Sequence, residues 1–195
     1  FGLGISDMEH HDDAVIRLGT SGVYALTQVL PIQGNNPEDT ILRLSDGTRL
    51  SKTGALGTDS VLNQCAYQLA TVDAAWKWRG WGAAFEYYFR LLDQFDGSGT
   101  FDRSSVFDQG GLAYLSWCFV PRTYEAYARS SVVTGPYGTG QEYGGGLNWY
   151  LKRSRQARLT FETIHMNNNP AQNLLYPYRA GYSGTAIQTQ LMVIF

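Results

Sequence analysis

Four consecutive residues, His10, His11, Asp12 and Asp13, have the side chains in this sequence that best suit metal binding. Imidazole and carboxylate groups are common ligands of zinc and other transition metals. Adjacent side chains on a turn rarely all reach one ion, however, so this spacing favours a solvated turn over a metal site. We therefore expect neither a metal nor a cofactor.

The sequence does not indicate nucleophilic catalysis either. The segment Gly19-Thr20-Ser21-Gly22 fails the spacing of a nucleophile elbow because position 23 is Val, and the surroundings of Ser183 fail it likewise. The three histidines, at positions 10, 11 and 165, fall at opposite ends of the topology derived below. We assign no catalytic residues, and an enzyme is disfavoured.

The composition describes a chain of strands and turns. Its 195 residues include 13 Tyr, 9 Phe, 5 Trp and 22 Gly, and the net charge is −2. This charge gives no electrostatic reason to expect a nucleic-acid partner. No apolar run approaches the ~18 residues that a membrane-spanning helix needs. Any contact with a membrane would therefore be made by β-structure.

Alternation of residue types predicts nine strands, the first of them a fragment. They lie at about residues 1–6, 14–29, 64–78, 81–92, 107–119, 124–133, 142–151, 157–167 and 184–195. Short connections alternate with longer ones at 30–63, 93–106, 134–141 and 168–183. In an up-and-down sheet, the longer loops then all connect the strands at one end, which we call the long-loop rim. The short turns connect them at the opposite end, the short-turn rim. Outer-membrane barrels sort their loops in this way, whereas Greek-key sandwiches do not.

A two-residue turn at Arg79-Gly80 fixes the register of the strands beside it, because it places Trp78 opposite Trp81. The face that contains these two tryptophans is then apolar, and the opposite face is charged. The same division recurs along residues 113–129 and 142–162. Each strand is therefore expected to have one apolar and one polar side.

The tryptophans are concentrated at one height of this predicted sheet. All five fall on the apolar face within about five residues of a short turn, as an interfacial girdle would require. The predicted girdle consists of Trp76, Trp78, Trp81, Trp117 and Trp149, together with the C-terminal Phe195. A second girdle near the long-loop rim is predicted at Tyr24, Tyr87, Phe89 and Tyr143.

Five elements in this order resemble a known family. They are Ala75-Trp76-Lys77-Trp78-Arg79-Gly80, Glu86-Tyr87-Tyr88-Phe89-Arg90, Val120-Pro121-Arg122 with the strand that follows it, the run 142–150, and the terminal Phe195. From about residue 64 onward the chain is similar to the C-terminal half of outer-membrane porins of the phosphate-selective O and P type, including planctomycete-type porins.

The resemblance implies an all-β fold, a transmembrane antiparallel up-and-down β-barrel of about 16 or more strands. Residues 1–195 would form the C-terminal part of that single domain, with about eight full strands and a fragment. The resemblance also implies a homotrimer in the outer membrane of a Gram-negative-type envelope, in contact with lipid, that passes ions and small hydrophilic solutes. The constriction loop is expected from an N-terminal half of the barrel.

Charged residues of the polar face are the candidates for lining a pore. They are five basic and five acidic residues, namely Arg17, Lys77, Arg90, Arg129 and Arg158 with Asp73, Glu86, Glu125, Glu142 and Glu162. This balance argues against strong anion selectivity. The same residues could instead pair with each other and brace the wall. Asp73 faces Glu86 across the tight hairpin, so we expect a cation or an arginine beside them.

Two alternatives to a wide pore remain open. One is a complete, small eight-stranded barrel with a filled lumen and an anchoring or structural role; the other is a soluble β-sandwich that binds a partner. The cysteines provide a check on the topology, because Cys65 and Cys118 are predicted near opposite rims. A disulfide needs Cα atoms within about 7 Å, so both should be free thiols.

Overall fold

The computed structural model describes residues 1, 4–28, 42–171 and 179–194, which form one sheet of eight antiparallel strands in sequence order. The strands are β1 (Val15–Gln28), β2 (Val61–Trp78), β3 (Trp81–Ser98), β4 (Ser105–Val120), β5 (Tyr124–Gly135), β6 (Gly138–Tyr150), β7 (Ala157–Asn169) and β8 (Tyr182–Val193). A 3-10 turn at Leu151–Arg153 is the one helical element of the described residues. No helix in this part of the chain is both long and apolar enough to cross a membrane.

The all-β, up-and-down prediction is confirmed, but two details of it are wrong. Residues 4–6 are bends rather than part of a first strand. The predicted long loop at 134–141 is a two-residue turn, Pro136-Tyr137, because β5 and β6 continue to the pair Gly135 and Gly138. Connection length therefore alternates less strictly than the sequence pattern indicated. The predicted girdle member Phe195 lies outside the described residues.

The register at the β2–β3 hairpin is as predicted, with Trp78 paired to Trp81. Both turn residues have positive φ, 47° at Arg79 and 86° at Gly80, which is the geometry of a type I′ hairpin turn. A Cβ on Gly80 would lie 2.7 Å from the ring of His10. Glycine is needed here both for the turn and for the close approach of the N-terminal segment.

The two faces of the sheet differ in what covers them. The outer face carries the tryptophans, and its large apolar side chains are exposed, among them Leu18, Phe85, Leu115, Leu147, Phe161, Ile187 and Leu191. The inner face carries the charged residues, and two segments pack on it. We call residues 4–13 the strap and residues 42–60 the inner loop.

Neither free edge of the sheet is paired in the described residues: no ladder joins β1 to β8, and none joins residues 4–6 to β8. Apolar residues of both edge strands are correspondingly exposed to solvent, with 77% of Leu18 exposed in β1 and 82% of Ile187 in β8.

Candidate functional site: the inner face of the sheet

Charged side chains of the inner face meet mainly in pairs. Asp73 lies opposite Glu86 in the register, as predicted, and Arg17 Nη2 approaches Asp73 Oδ2 at 3.6 Å. The expected arginine is therefore present beside this carboxylate pair. Glu86 itself is exposed.

Arg129 joins three strands of the inner face. Its guanidinium lies 3.2 Å from Glu142 on β6 and 2.7 Å from Glu162 on β7. Glu162 also accepts a hydrogen bond of 2.6 Å from the Gln188 side chain on β8. Such charge-assisted contacts hold neighbouring strands in register.

Glu125 is a fully buried carboxylate whose partners are all neutral. It accepts hydrogen bonds from the hydroxyl of Tyr114 at 3.0 Å, the amide of Asn148 at 2.9 Å and the hydroxyl of Tyr150 at 2.5 Å. Tyr150 in turn hydrogen-bonds Arg158. Glu125 and Arg158 thus belong to a bracing network, and Glu125 has no surface open to solvent.

Arg90 pairs with a residue that the sequence reasoning missed, Asp108 on β4. Arg90 Nε and Nη2 donate to Asp108 Oδ2 at 3.1 and 2.5 Å, and Nη2 also donates to the carbonyl of Arg43 at 2.7 Å. Strand pairing could have predicted this contact, because the β3–β4 register places Asp108 directly opposite Arg90. It was overlooked because Asp108 lies next to the predicted start of its strand.

The inner loop packs an apolar cluster onto the long-loop end of the inner face. Leu44, Leu50 and Leu56 of the loop are buried against strand residues that include Cys65 and Leu92. Burial and the neighbouring Arg49 lower the pKa of the Arg43 guanidinium in this loop. The constriction loop that the resemblance implies for an N-terminal half stays a prediction. Within the described residues, the inner loop covers the long-loop end of the inner face.

The strap covers the short-turn end of the same face. The backbone N–H of Gly80 donates to Asp7 Oδ2 at 2.7 Å, and the N–H of Arg79 donates to the carbonyl of His11 at 2.8 Å. His10 Nε2 donates to the carbonyl of Cys118 at 2.8 Å. The predicted solvated segment is therefore solvated only in part: Asp12 and Asp13 are exposed, whereas His10 and His11 are half-buried and hold the strap onto the sheet.

Asp7 is the buried anchor of the strap. Burial by itself would raise the pKa of this carboxyl, but hydrogen bonds from the side chain of His11 and the backbone of Gly80 and His11 outweigh it and lower the pKa. Met8 packs beside it with Cys118 and Tyr150. The charged form of Asp7 is thus favoured in the folded chain.

Lys77 lies beneath the first residue of the chain rather than in open space. It is fully buried, its Nζ donates to the carbonyl of Phe1 at 3.0 Å, and the Phe1 ring centroid is 4.5 Å away. Sequence periodicity predicted the face on which Lys77 lies. It did not predict that Phe1 covers the side chain, because this contact joins residues distant in sequence.

On the outer face the predicted tryptophan girdle is part of a longer chain of ring contacts. Trp81 stacks on Trp117 with centroids 5.4 Å apart, and the contacts continue through Phe119 and Tyr124 to Trp149. Trp76 contacts Trp78 beside them. We call these seven residues the aromatic belt; it crosses β2 to β6 near the short-turn rim.

Both cysteines, Cys65 and Cys118, are buried free thiols, as predicted. Over the ranges that the structure describes, no three His, Cys, Asp or Glu side chains converge in a way that could hold a metal ion.

Comparison with known proteins does not assign the chain. No protein-family model matches it, and neither the curated proteins nor the solved structures contain a significant match.

Proposed function

We propose that this chain forms part of the wall of an outer-membrane porin, a water-filled channel for passive diffusion of ions and small hydrophilic solutes. One observation carries the proposal: the apolar face of the sheet is exposed along its length, while the charged face is lined with paired ions. A protein in water rarely leaves so large an apolar surface uncovered, but lipid would cover it.

The aromatic belt supports the same proposal, because indole rings favour the level of the lipid headgroups.

The candidate lining of the proposed channel has equal numbers of basic and acidic residues, so we expect weak ion selectivity rather than a preference for anions. Within the described residues the outer edges of β1 and β8 are unpaired. An open edge within lipid would leave backbone groups unsatisfied at several kcal/mol each, so we propose that further strands pair with them. We propose a barrel of about 16 or more strands and a homotrimer, in a Gram-negative-type outer membrane.

A small anchoring barrel is the second candidate. It is favoured by the filling of the inner face, where the strap packs Met8 against Cys118 and Tyr150 and the inner loop adds its own apolar cluster. A soluble sandwich is less well supported, because no second sheet covers the outer face in the described residues.

Two leucines on β4 test whether the outer face meets lipid. Leu115 on the outer face and Leu112 on the inner face are similarly exposed, at 47% and 42%. Leu115→Arg should destabilise the protein folded in bilayers by about 1–3 kcal/mol, because it places a charge in lipid, whereas Leu112→Arg should change stability by about 0.5 kcal/mol or less. Equal effects of both substitutions in urea titrations would contradict a lipid-facing outer surface.

Passage itself is tested by the swelling of liposomes that contain the purified protein. A porin should admit small sugars and salts and give ohmic conductance steps in planar bilayers. Correct insertion without swelling or conductance would instead support the anchoring barrel.

A further inference from the structure

All three turns that join described strands at the short-turn rim carry exposed basic side chains. We call these four residues the basic rim: Arg79 in the β2–β3 turn, Arg122 in the β4–β5 turn, and Lys152 and Arg153 in the β6–β7 turn. At the long-loop rim the β5–β6 turn, Pro136-Tyr137, is uncharged, and the β3–β4 connection carries one charge of each sign, at Asp102 and Arg103. The short turns thus share a charge that these two connections do not have.

The backbone of the basic rim has an uncommon conformation for such side chains. All four residues have a positive φ, 47° at Arg79, 57° at Arg122, 53° at Lys152 and 56° at Arg153. Glycine and asparagine adopt this left-handed conformation most readily. Long basic side chains therefore lie where the backbone alone would favour other residues. Because residues in this conformation concentrate at binding sites, the charge of these side chains is the property to explain.

Carboxylates of the strap leave part of this charge uncompensated. None of the four basic residues forms an ion pair within the described residues. On the strap, Asp7 is buried, and Glu9 pairs with Arg155 at 3.2 Å. Asp12 and Asp13 are exposed, but two carboxylates against four basic side chains leave a net positive charge at this rim. The basic rim therefore suits an anionic partner.

The aromatic belt indicates what kind of anion meets the basic rim. The guanidinium carbon of Arg79 lies 5.1 Å from the centroid of the Trp78 ring, and the other three basic residues lie within four residues of a belt residue in sequence. Indole rings favour the level of the lipid headgroups. Basic side chains beside them reach the phosphate layer with their charged ends while their stems stay in apolar surroundings. Lipid phosphates are thus the anions closest to the basic rim in a bilayer.

Arg122 and Arg153 lie in neighbouring turns and border the same opening at the rim. The N–H of Tyr150 donates to the carbonyl of Thr123 at 2.8 Å, which joins the end of β6 to the β4–β5 turn. Guanidinium groups match the geometry of phosphate oxygens and bind them with two hydrogen bonds. The aromatic belt lies beside both turns. A phospholipid can contact the arginines with its phosphate and the belt with its acyl chains, whereas a free phosphate ion can contact only the arginines.

We infer that the basic rim binds the headgroups of anionic phospholipids such as phosphatidylglycerol, with Arg122 and Arg153 at the phosphate and the aromatic belt against the adjoining acyl chains. The inference rests on the proposed function, because the outer face must lie in lipid. Phosphatidylcholine is disfavoured, since its ammonium group cancels the charge of its phosphate. One basic residue near a charged surface changes affinity about fivefold, so the preference for phosphatidylglycerol should be about that large.

Quenching of tryptophan fluorescence by brominated lipids tests this preference, because all five tryptophans belong to the aromatic belt. The full chain is reconstituted into phosphatidylcholine vesicles that contain brominated phosphatidylglycerol or brominated phosphatidylcholine. Wild type should prefer phosphatidylglycerol about fivefold, and Arg122→Gln/Arg153→Gln should reduce the preference to less than about twofold. Arg103→Gln is the matched control, because it removes an exposed arginine from the long-loop rim. It should keep the wild-type preference.

Four results would overturn the inference: equal affinity of wild type for the two lipids, a preference that survives the double substitution, an equal loss in Arg103→Gln, or loss of the preference in millimolar inorganic phosphate, which would indicate a site for the free ion. If the double variant does not insert, wild type in about 1 M sodium chloride decides, because salt screens exposed charges. The preference should disappear there, and its persistence would overturn the inference.

The same measurement separates the two proposals. Absence of quenching by either brominated lipid would remove the lipid-facing outer surface, and the porin with it. Equal quenching by both lipids would remove the preference for anionic headgroups and keep the porin.

Discussion

Glu125 illustrates how one buried carboxylate can organise a polar face. Three donors from the two neighbouring strands β4 and β6, Tyr114, Asn148 and Tyr150, converge on it. Glu125→Ala should lower the free energy of unfolding by about 2–4 kcal/mol, because it leaves these buried donors without an acceptor. Urea titration in detergent measures the change. Glu86→Ala, at an exposed position on the same face, is the control and should cost about 0.5 kcal/mol or less. Equal losses in the two variants would show that Glu125 is not the centre of the network.

Asp7 makes the stability contributed by the strap dependent on pH. Its pKa is lower in the folded chain than the ordinary 3.8, so its charged form stabilises the fold above about pH 4, and this contribution is lost as the pH falls through the lowered value. Asp7→Asn should therefore cost about 1–3 kcal/mol near neutral pH, and the difference from wild type should shrink below pH 3.8.

Unfolding free energies of both proteins, measured from pH 7 to pH 2.5, check this dependence. Asp13→Asn, at an exposed position on the same strap, should remain within about 0.5 kcal/mol of wild type at neutral pH. A wild-type advantage over Asp7→Asn that persists undiminished at the lowest pH would argue against the charged anchor.

At the residue scale, sequence reasoning identified faces but few partners. Period-2 alternation was sufficient to group Arg129, Glu142 and Glu162, because side chains of a strand point alternately to its two sides. It did not reveal that Phe1 covers Lys77 or that His10 holds the strap on the sheet, because both contacts join residues that are far apart in sequence.

At the scale of elements, the docking of the strap on the sheet can be tested with a disulfide to Cys118. Ser6 Oγ lies 3.0 Å from Cys118 Sγ, so Ser6→Cys should form a disulfide with Cys118 under mild oxidation. Mass spectrometry of non-reduced peptides detects the linkage. The same substitution in a Cys118→Ser background should give no bridge. A bridge to Cys65 instead, or none, would contradict the docked strap.

Strand positions were predictable from sequence, but strand ends were less so. The alternation of Phe1 and Ile5 with small residues indicated a strand, yet residues 4–6 fold onto the sheet, where the carbonyl of Ile5 lies over Gly82. At β5 and β6, glycines at 135, 138 and 140 weakened the pattern although the strands continue through them. Glycine-rich strand ends carry little periodicity, so tertiary pairing decides their length.

For the whole molecule, the unpaired edges predict how the assembled protein should exchange its amide hydrogens. If further strands pair with β1 and β8 in the membrane-embedded protein, amides of Val15–Gln28 and Tyr182–Val193 should be protected as strongly as those of the central strand Ser105–Val120. Hydrogen exchange with peptide-level mass spectrometry makes the comparison. Rapid exchange at both edges beside a protected β4 would show an open sheet and count against a closed barrel.

The nearest-neighbour order of the strands also sets an order of folding. Contact order is low when each strand pairs only with its sequence neighbours, and chain closure is easiest at the two-residue turns that join β2 to β3 and β5 to β6. These hairpins should nucleate the sheet, and β1, separated from β2 by the longest connection, should join late. Leu44, Leu50 and Leu56 pack against residues of β2, β3 and β4, so they can dock only after these strands have paired. The inner loop should therefore cover the inner face late in folding, after the sheet beneath it has formed.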